Sequence, residues 1–131
     1  MIDAAVQAWH QLIQDRNVAG LDDVLADDAV FHSPIVHTPQ EGKALTKLYL
    51  TGAFQVLDST NFRYVREVVS GDHAVLEFVT EVDGITVNGV DMIQWNADGK
   101  IVDFKVMIRP LKAVHLLHQK MAEMLQKLSS D

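Results

Sequence analysis

Two runs of alternating apolar and polar side chains, Ile85–Trp95 and Lys100–Arg109, constrain this fold more than any other feature of the sequence. One face of the first run is apolar except for a single carboxylate, that of Asp91. Residues 96–99, Asn-Ala-Asp-Gly, form a turn signal in which the glycine can take the positive φ that closes a hairpin. The stretch therefore predicts a long antiparallel hairpin whose lone acid, among apolar neighbours, suggests a pocket.

Two further runs of strand periodicity come before this hairpin, at residues 61–70 and 73–83. Joined by short turns, they predict a four-stranded antiparallel meander. A brief strand is expected at residues 29–31, and Pro34 and Pro39 forbid a helix in the loop that follows it.

Helical spacing of apolar residues predicts three N-terminal helices, at residues 2–16, 18–26 and 42–57. Asn17 is placed to cap the second of them. Beyond Pro110, apolar residues at steps of three and four predict an additional C-terminal helix over residues 111–128. This helix needs a surface that buries its apolar stripe, and either the domain's own core or a second copy of the chain could supply one.

Length, composition and charge narrow the class of protein. A chain of 131 residues with 48% hydrophobic content is expected to form one globular domain spanning residues 1–131. It contains no cysteine, it shows no signal-peptide pattern or membrane-spanning apolar run, and a cytoplasmic location is expected. The net charge of -7 disfavours contact with a phosphate backbone, so neither nucleic acid nor a membrane is an expected partner.

Two local motifs carry a resemblance to a known superfamily. LADDAVFHSP, residues 25–34, is similar to the segment after the second helix of nuclear transport factor 2-like (NTF2-like) proteins, and GVDMIQWNADGKI, residues 89–101, is similar to their central hairpin. The superfamily includes ketosteroid isomerases and SnoaL-like polyketide cyclases. The resemblance implies an α+β fold in which a strongly curved antiparallel sheet and three N-terminal helices enclose a cone-shaped cavity. It also implies a homodimer, and the C-terminal helix is then an addition that acts as a lid or extends the interface.

The ketosteroid isomerase site transfers only in part to this sequence. Its aspartate base corresponds to Ser33, which cannot shuttle a proton near neutral pH without help. Its tyrosine donor corresponds to Trp9, which retains only an N–H. Its second acid is retained as Asp91. In ketosteroid isomerase an aspartic acid stays neutral in an apolar site and can therefore donate a hydrogen bond. The resemblance therefore disfavours steroid isomerisation and supports a cavity with one acid. A resemblance to SnoaL-like cyclases implies that a single aspartate serves as both acid and base.

Asp91 is the first candidate for catalysis, because burial among apolar residues disfavours its charged form and suits an acid, a base or a neutral donor. The alternative is a structural acid paired with Arg109, which would lower its pKa instead. His32 and His37, beside the proline loop, are further candidates for a base, although solvated loop histidines are common. His115 and His118 lie three residues apart but have no third ligand in register, so neither a metal nor a cofactor is predicted.

The expected ligand is a small hydrophobic or aromatic molecule, because aromatic and apolar side chains dominate the predicted cavity. The candidate ligand-binding residues are Trp9, Ser33, Tyr49, Phe54, Tyr64, Phe78, Trp95, Met107 and Arg109. Two functions remain open. The first is acid–base isomerisation, cyclisation or hydration that depends on Asp91, and the alternative is a non-catalytic ligand-binding or dimerisation module.

Overall fold

A computed structural model describes residues 2–57 and 61–129 of the chain. Its helices are α1 (Ile2–Asp15), α2 (Leu21–Val24), α3 (Lys43–Val56) and α4 (Leu111–Ser129), with a short 3-10 turn at Val18–Gly20 before α2. Asn17 caps that turn, as predicted, because its side-chain oxygen accepts a hydrogen bond from the backbone N–H of Gly20. None of the described helices combines the length and the hydropathy of a membrane-spanning helix.

The strands form one six-stranded sheet. They are β1 (Leu25–His32), β2 (Gln40–Glu41), β3 (Arg63–Ser70), β4 (His73–Val82), β5 (Ile85–Trp95) and β6 (Ile101–Arg109), and their order in the sheet is β2-β1-β6-β5-β4-β3. Strands β3 to β6 are the predicted antiparallel meander. Register shifts within the β3–β4, β5–β6 and β1–β6 pairs interrupt the ladders, and such bulges increase twist and bending.

The segment after α1 differs from the sequence prediction. The expected helix over residues 18–26 is limited to the 3-10 turn and to the four residues of α2, and β1 starts at Leu25 instead of residue 29. Leu25 and Ala29 are buried in the sheet, and β1 pairs in parallel with β6. This pairing between distant parts of the chain overrides the local helical pattern. β2 was not predicted, since two residues are too few to show a periodicity.

The two faces of the sheet have different environments. The inner face packs on the helices, and its buried side chains meet Trp9 of α1, Leu50 of α3 and Leu117 of α4 in a single hydrophobic core. The outer face carries exposed apolar residues, among them Val68 and Met107. Because side chains alternate along a strand, each strand of the meander contributes to both faces.

Candidate active site

A cavity of about 730 Å³ lies between the inner face of the sheet and helices α1, α3 and α4. Aromatic rings make up much of its wall. They belong to Trp9, Phe31, Tyr49, Phe54, Phe62, Tyr64, Phe78 and Phe104. Helix α4 adds Leu117, Met121 and Leu125, so the C-terminal helix forms part of the cavity wall. A space of this size and lining is suited to a small, largely apolar ligand.

Asp91 of β5 is the acidic group of the cavity. Among the described residues that line it, no other side chain carries a carboxyl group. Asp91 lies on the inner face, opposite Leu76 of β4 and Val106 of β6, and is only 6% exposed. The period-two pattern therefore assigned this side chain to the correct face of the strand.

The partner of Asp91 is a phenol and not a cation. The hydroxyl of Tyr64, on β3, donates a hydrogen bond of 2.6 Å to Oδ2 of Asp91. The indole Nε1–H of Trp9, on α1, donates in turn to the Tyr64 hydroxyl over 3.1 Å. Arg109 is exposed and lies opposite Asn88, beside a groove on the outer face, so the alternative of an Asp91–Arg109 ion pair is wrong.

Burial dominates the electrostatics of this pair. It raises the pKa of Asp91 to about 7, although the hydrogen bond from Tyr64 opposes the shift by stabilising the carboxylate. The pKa of Tyr64 is raised well above its ordinary value by burial first and by the nearby Asp91 carboxylate second. Tyr64 is therefore a protonated donor at neutral pH, whereas Asp91 can gain or lose a proton there. A carboxyl group poised in this way is suited to general acid–base chemistry.

The proline loop contributes a hydroxyl group to the cavity. Ser33, Pro34, Ile35 and Val36 line one side of it. The Ser33 Oγ accepts a hydrogen bond of 3.0 Å from the backbone N–H of Ile35. This contact uses an acceptor site of the hydroxyl group, so its proton remains available for donation.

Neither loop histidine that the sequence suggested lies on the cavity wall. His32, on β1, contacts the carboxylate of Asp103 at 2.8 Å and is not among the described lining residues. His37 is exposed and is also absent from the wall. The reason is geometric, since the cavity is lined by the loop residues between these two histidines. The cavity instead contacts His10 and His118. The sequence singled out His118 only for its spacing from His115, and it gave no reason to select His10.

The aromatic candidates and Met107 divide between the cavity wall and other parts of the fold. Trp9, Tyr49, Phe54, Tyr64 and Phe78 lie on the cavity wall. Trp95 is buried in the hydrophobic core near the β5–β6 turn, away from the described wall. Met107 is 50% exposed on the outer face, because it lies opposite Val90 and its inner-face neighbours in β6 are Val106 and Ile108. Trp95 and Met107 are thus excluded from the cavity lining.

The pairing of Tyr64 with Asp91 was not predicted, although both residues were candidates. The two residues are 27 positions apart and lie on strands separated by β4. Phe78 of β4, the intervening strand, is the partner of Gly89 in β5, and a Cβ added at Gly89 would lie 2.4 Å from the Phe78 ring. Two features of the sequence could have indicated this pairing: the inner-face position of Tyr64, and the glycine two residues before Asp91. No group of three or more described His, Asp or Glu side chains is arranged to hold a metal ion.

The fold and this site define a class of protein: a curved sheet and surrounding helices enclose an aromatic cavity that contains one buried carboxyl group. A model of the SnoaL-like domain matches residues 6–104. The chain therefore belongs to the SnoaL-like family of the NTF2-like superfamily, as its motifs suggested. The comparison with curated proteins gives no significant match.

Solved structures agree with this assignment. A steroid delta-isomerase from Pseudomonas aeruginosa is 36% identical, with a TM-score of 0.92 over 99% of this chain and 95% of that one. A conserved bacterial protein with a cystatin-like fold from Silicibacter pomeroyi is 28% identical, with a TM-score of 0.84 over 91% and 83% of the two chains. An NTF2-like protein from Mesorhizobium loti has a TM-score of 0.71 at 17% identity, over 83% of this chain and 91% of that one, and it shows the fold alone.

Proposed function

We propose that the protein catalyses proton transfer within a small, flat and mainly apolar carbonyl compound, in an isomerisation or cyclisation, with Asp91 as the proton carrier. The observation that supports this most strongly is the buried carboxyl group with a pKa of about 7 on the wall of an aromatic cavity. The similarity to a steroid delta-isomerase at 36% identity supports isomerisation as the type of reaction.

The proposed step is a double-bond shift. The Asp91 carboxylate removes a proton from the carbon next to the substrate carbonyl, and the electrons of the broken C–H bond move into an enolate. The protonated Asp91 then returns the proton to the far carbon of the conjugated system, so the enzyme is unchanged at the end. The Ser33 hydroxyl is the proposed donor to the enolate oxygen, since its proton has no acceptor among the described residues.

The test uses a β,γ-unsaturated cyclic ketone, whose conjugated product can be followed by ultraviolet absorption. Replacing Asp91 by Asn keeps the shape and an acceptor for Tyr64 but removes the titrating group, and we expect a loss of about a hundredfold or more in kcat. The matched control is Asp103→Asn, which removes a carboxyl group that contacts His32 outside the cavity. Full activity in the Asp91 variant would refute the proposed role of this residue.

A second candidate function is ligand binding without turnover. It is favoured by Ser33, which stands where the related isomerases are expected to carry a base and leaves Asp91 as the one carboxyl among the described lining residues. This candidate predicts stoichiometric binding of a flat apolar compound, unchanged on recovery. Recovery of an altered compound from the wild type, but not from Asp91→Asn, would exclude it.

We also propose that a second copy of the chain covers the outer face of the sheet. Val68 and Met107 are 56% and 50% exposed there, beside a groove of about 400 Å³. Arg66, Glu77 and Arg109 line the same groove, so it presents charges of both signs around apolar side chains, as a self-complementary interface requires. Light scattering should show a dimer for the wild type and a monomer for Met107→Asp, and a monomeric wild type would contradict this proposal.

A further inference from the structure

The hydrogen bonds on the cavity wall that join Trp9, Tyr64 and Asp91 have a fixed direction. Three elements supply them: Trp9 lies on α1, Tyr64 on β3 and Asp91 on β5. An indole nitrogen can only donate, so the Tyr64 hydroxyl must accept from Trp9. Its own proton is then directed to its other partner, Oδ2 of Asp91. The separation of 2.6 Å is in the range expected for a hydroxyl donating to an ionised oxygen.

The two oxygens of Asp91 consequently have different surroundings. Oδ2 accepts the hydrogen bond from Tyr64, and no described residue donates to Oδ1. Asp91 lines the cavity, and Tyr64 engages only one of its two oxygens. A proton that Asp91 exchanges with a ligand can therefore be carried on Oδ1 while Oδ2 remains bound to the phenol.

We infer that Trp9 is a positioning residue: by occupying the acceptor side of the Tyr64 hydroxyl, its indole N–H directs the phenolic proton to Oδ2 and leaves Oδ1 of Asp91 as the oxygen that exchanges protons with the ligand. This inference deepens the proposed function, on whose assignment of Asp91 its relevance to catalysis rests. Trp9 is suited to such a role because it is 1% exposed and its ring packs against Phe54 and Phe104, so the N–H direction is fixed.

Other ionisable groups lie near the hydrogen bonds of Trp9, Tyr64 and Asp91, and their effects must be separated from that of the Asp91 carboxyl group. The ring of His10, next to Trp9 in sequence, packs edge-on against Tyr64 with centroids 5.3 Å apart. His10 is itself 2.5 Å from the carboxylate of Glu67. Ionisable groups other than Asp91 therefore lie close to Trp9 and Tyr64, and His118 also lies on the cavity wall. The experiment therefore includes a variant that lacks the Asp91 carboxyl group.

The first measurement follows the two indole N–H signals by nitrogen-15 NMR, in the ligand-free wild type, as pH is varied. The chain has two tryptophans, and Trp95 is the internal reference because it is buried in the core outside the cavity. We expect the Trp9 signal to shift with a midpoint near the Asp91 value of about 7 and the Trp95 signal to stay constant. A Trp9 signal that does not shift, or that shifts equally in Asp91→Asn, would overturn the inference.

The second measurement compares Trp9→Phe with Trp95→Phe. Loss of the indole N–H weakens Tyr64 as a donor to the carboxylate, so we expect the Asp91 titration to move to higher pH by roughly half a unit in Trp9→Phe alone. An unchanged midpoint in a folded Trp9→Phe protein would contradict the positioning role, and if that variant does not fold, the wild-type indole measurement decides. Neither measurement needs a substrate, so a protein that passes both and shows no turnover would refute the proposed catalysis and not this inference.

Discussion

The inner and outer faces of the sheet are built from the same four strands of the meander but have different chemistry. On β5, Asp91 faces inward into the aromatic cavity, whereas Met92, the next residue, is exposed on the outer face. Inward, a carboxyl group is buried beside a neutral phenol, and this burial raises its pKa to about 7. Outward, charged side chains such as Arg66 and Glu77 pair with each other near solvent. Burial, and not residue type, thus determines what a carboxyl group on this sheet can do.

The largest expected effect concerns stability and pH on the inner face. The pKa of Asp91 is higher in the folded chain, at about 7, than its ordinary value of 3.8, so the folded state binds more protons between these two pH values. The stabilisation from the neutral acid is complete below about pH 4 and is lost as pH rises to about 7. The unfolding free energy of Asp91→Asn minus that of the wild type should therefore rise with pH, by up to about 4 kcal/mol between pH 4 and pH 8. Denaturant unfolding at several pH values measures this difference, and a difference that does not change with pH would contradict it.

Gly89 gives a second, purely steric test of the inner face. A Cβ at this position would lie 2.4 Å from Phe78 and 2.7 Å from Ile108, both of which line the cavity. Gly89→Ala should therefore displace the Phe78 ring and cost about 1–3 kcal/mol of unfolding free energy. The matched control is Val90→Ala, at the next residue of β5 and directed to the outer face, which we expect to cost less. Equal losses in the two variants would mean that the inner face is less tightly packed than the distances indicate.

Removing the phenol hydroxyl tests the hydrogen bond that opposes the burial effect. Tyr64→Phe keeps the ring but removes the donor to Asp91, and the pKa of Asp91 should then rise further, by about one unit. Carboxyl-labelled NMR or infrared titration measures the change. A fall in the pKa would mean that the Tyr64 hydroxyl stabilises the protonated acid instead, and it would contradict the direction of this hydrogen bond.

The smallest effect is expected outside the cavity. The contact between His32 and Asp103 is partly exposed to solvent, and such pairs contribute less than about 1 kcal/mol. His32→Gln should therefore leave both the unfolding free energy and any turnover nearly unchanged. A large loss of turnover would restore His32 as a catalytic candidate and weaken the contrast between the two faces.

Local patterns predicted what depends on a single strand or helix. Alternation placed Asp91 on the inner face, and helical spacing located α1, α3 and α4. The pattern could not predict the parallel pairing of β1 with β6 or the two-residue β2, because these depend on contacts between distant parts of the chain. Met107 was assigned to the cavity from its residue type, although its position in β6 directs it outward.

The site was predicted only to the level of its parts. Asp91, Tyr64 and Trp9 were each selected from the sequence, but the hydrogen bonds that connect them join three elements and leave no mark in the local pattern. The resemblance to ketosteroid isomerase placed a donor at Trp9, and the structure shows that this donor contacts Tyr64. The phenol that contacts Asp91 belongs instead to Tyr64 on β3.

The most direct test of the account is a titration of the Asp91 carboxyl group itself, by carbon-13 NMR of protein labelled at the aspartate carboxyl carbons, with Asp91→Asn to assign the signal. The account predicts one carboxyl group that titrates near pH 7, well separated from the other aspartates, and that is absent from the variant. A midpoint for Asp91 near the ordinary value of about 4 would mean that the carboxyl group is ionised throughout the neutral range, and it would contradict the central claim that burial poises this acid for proton transfer.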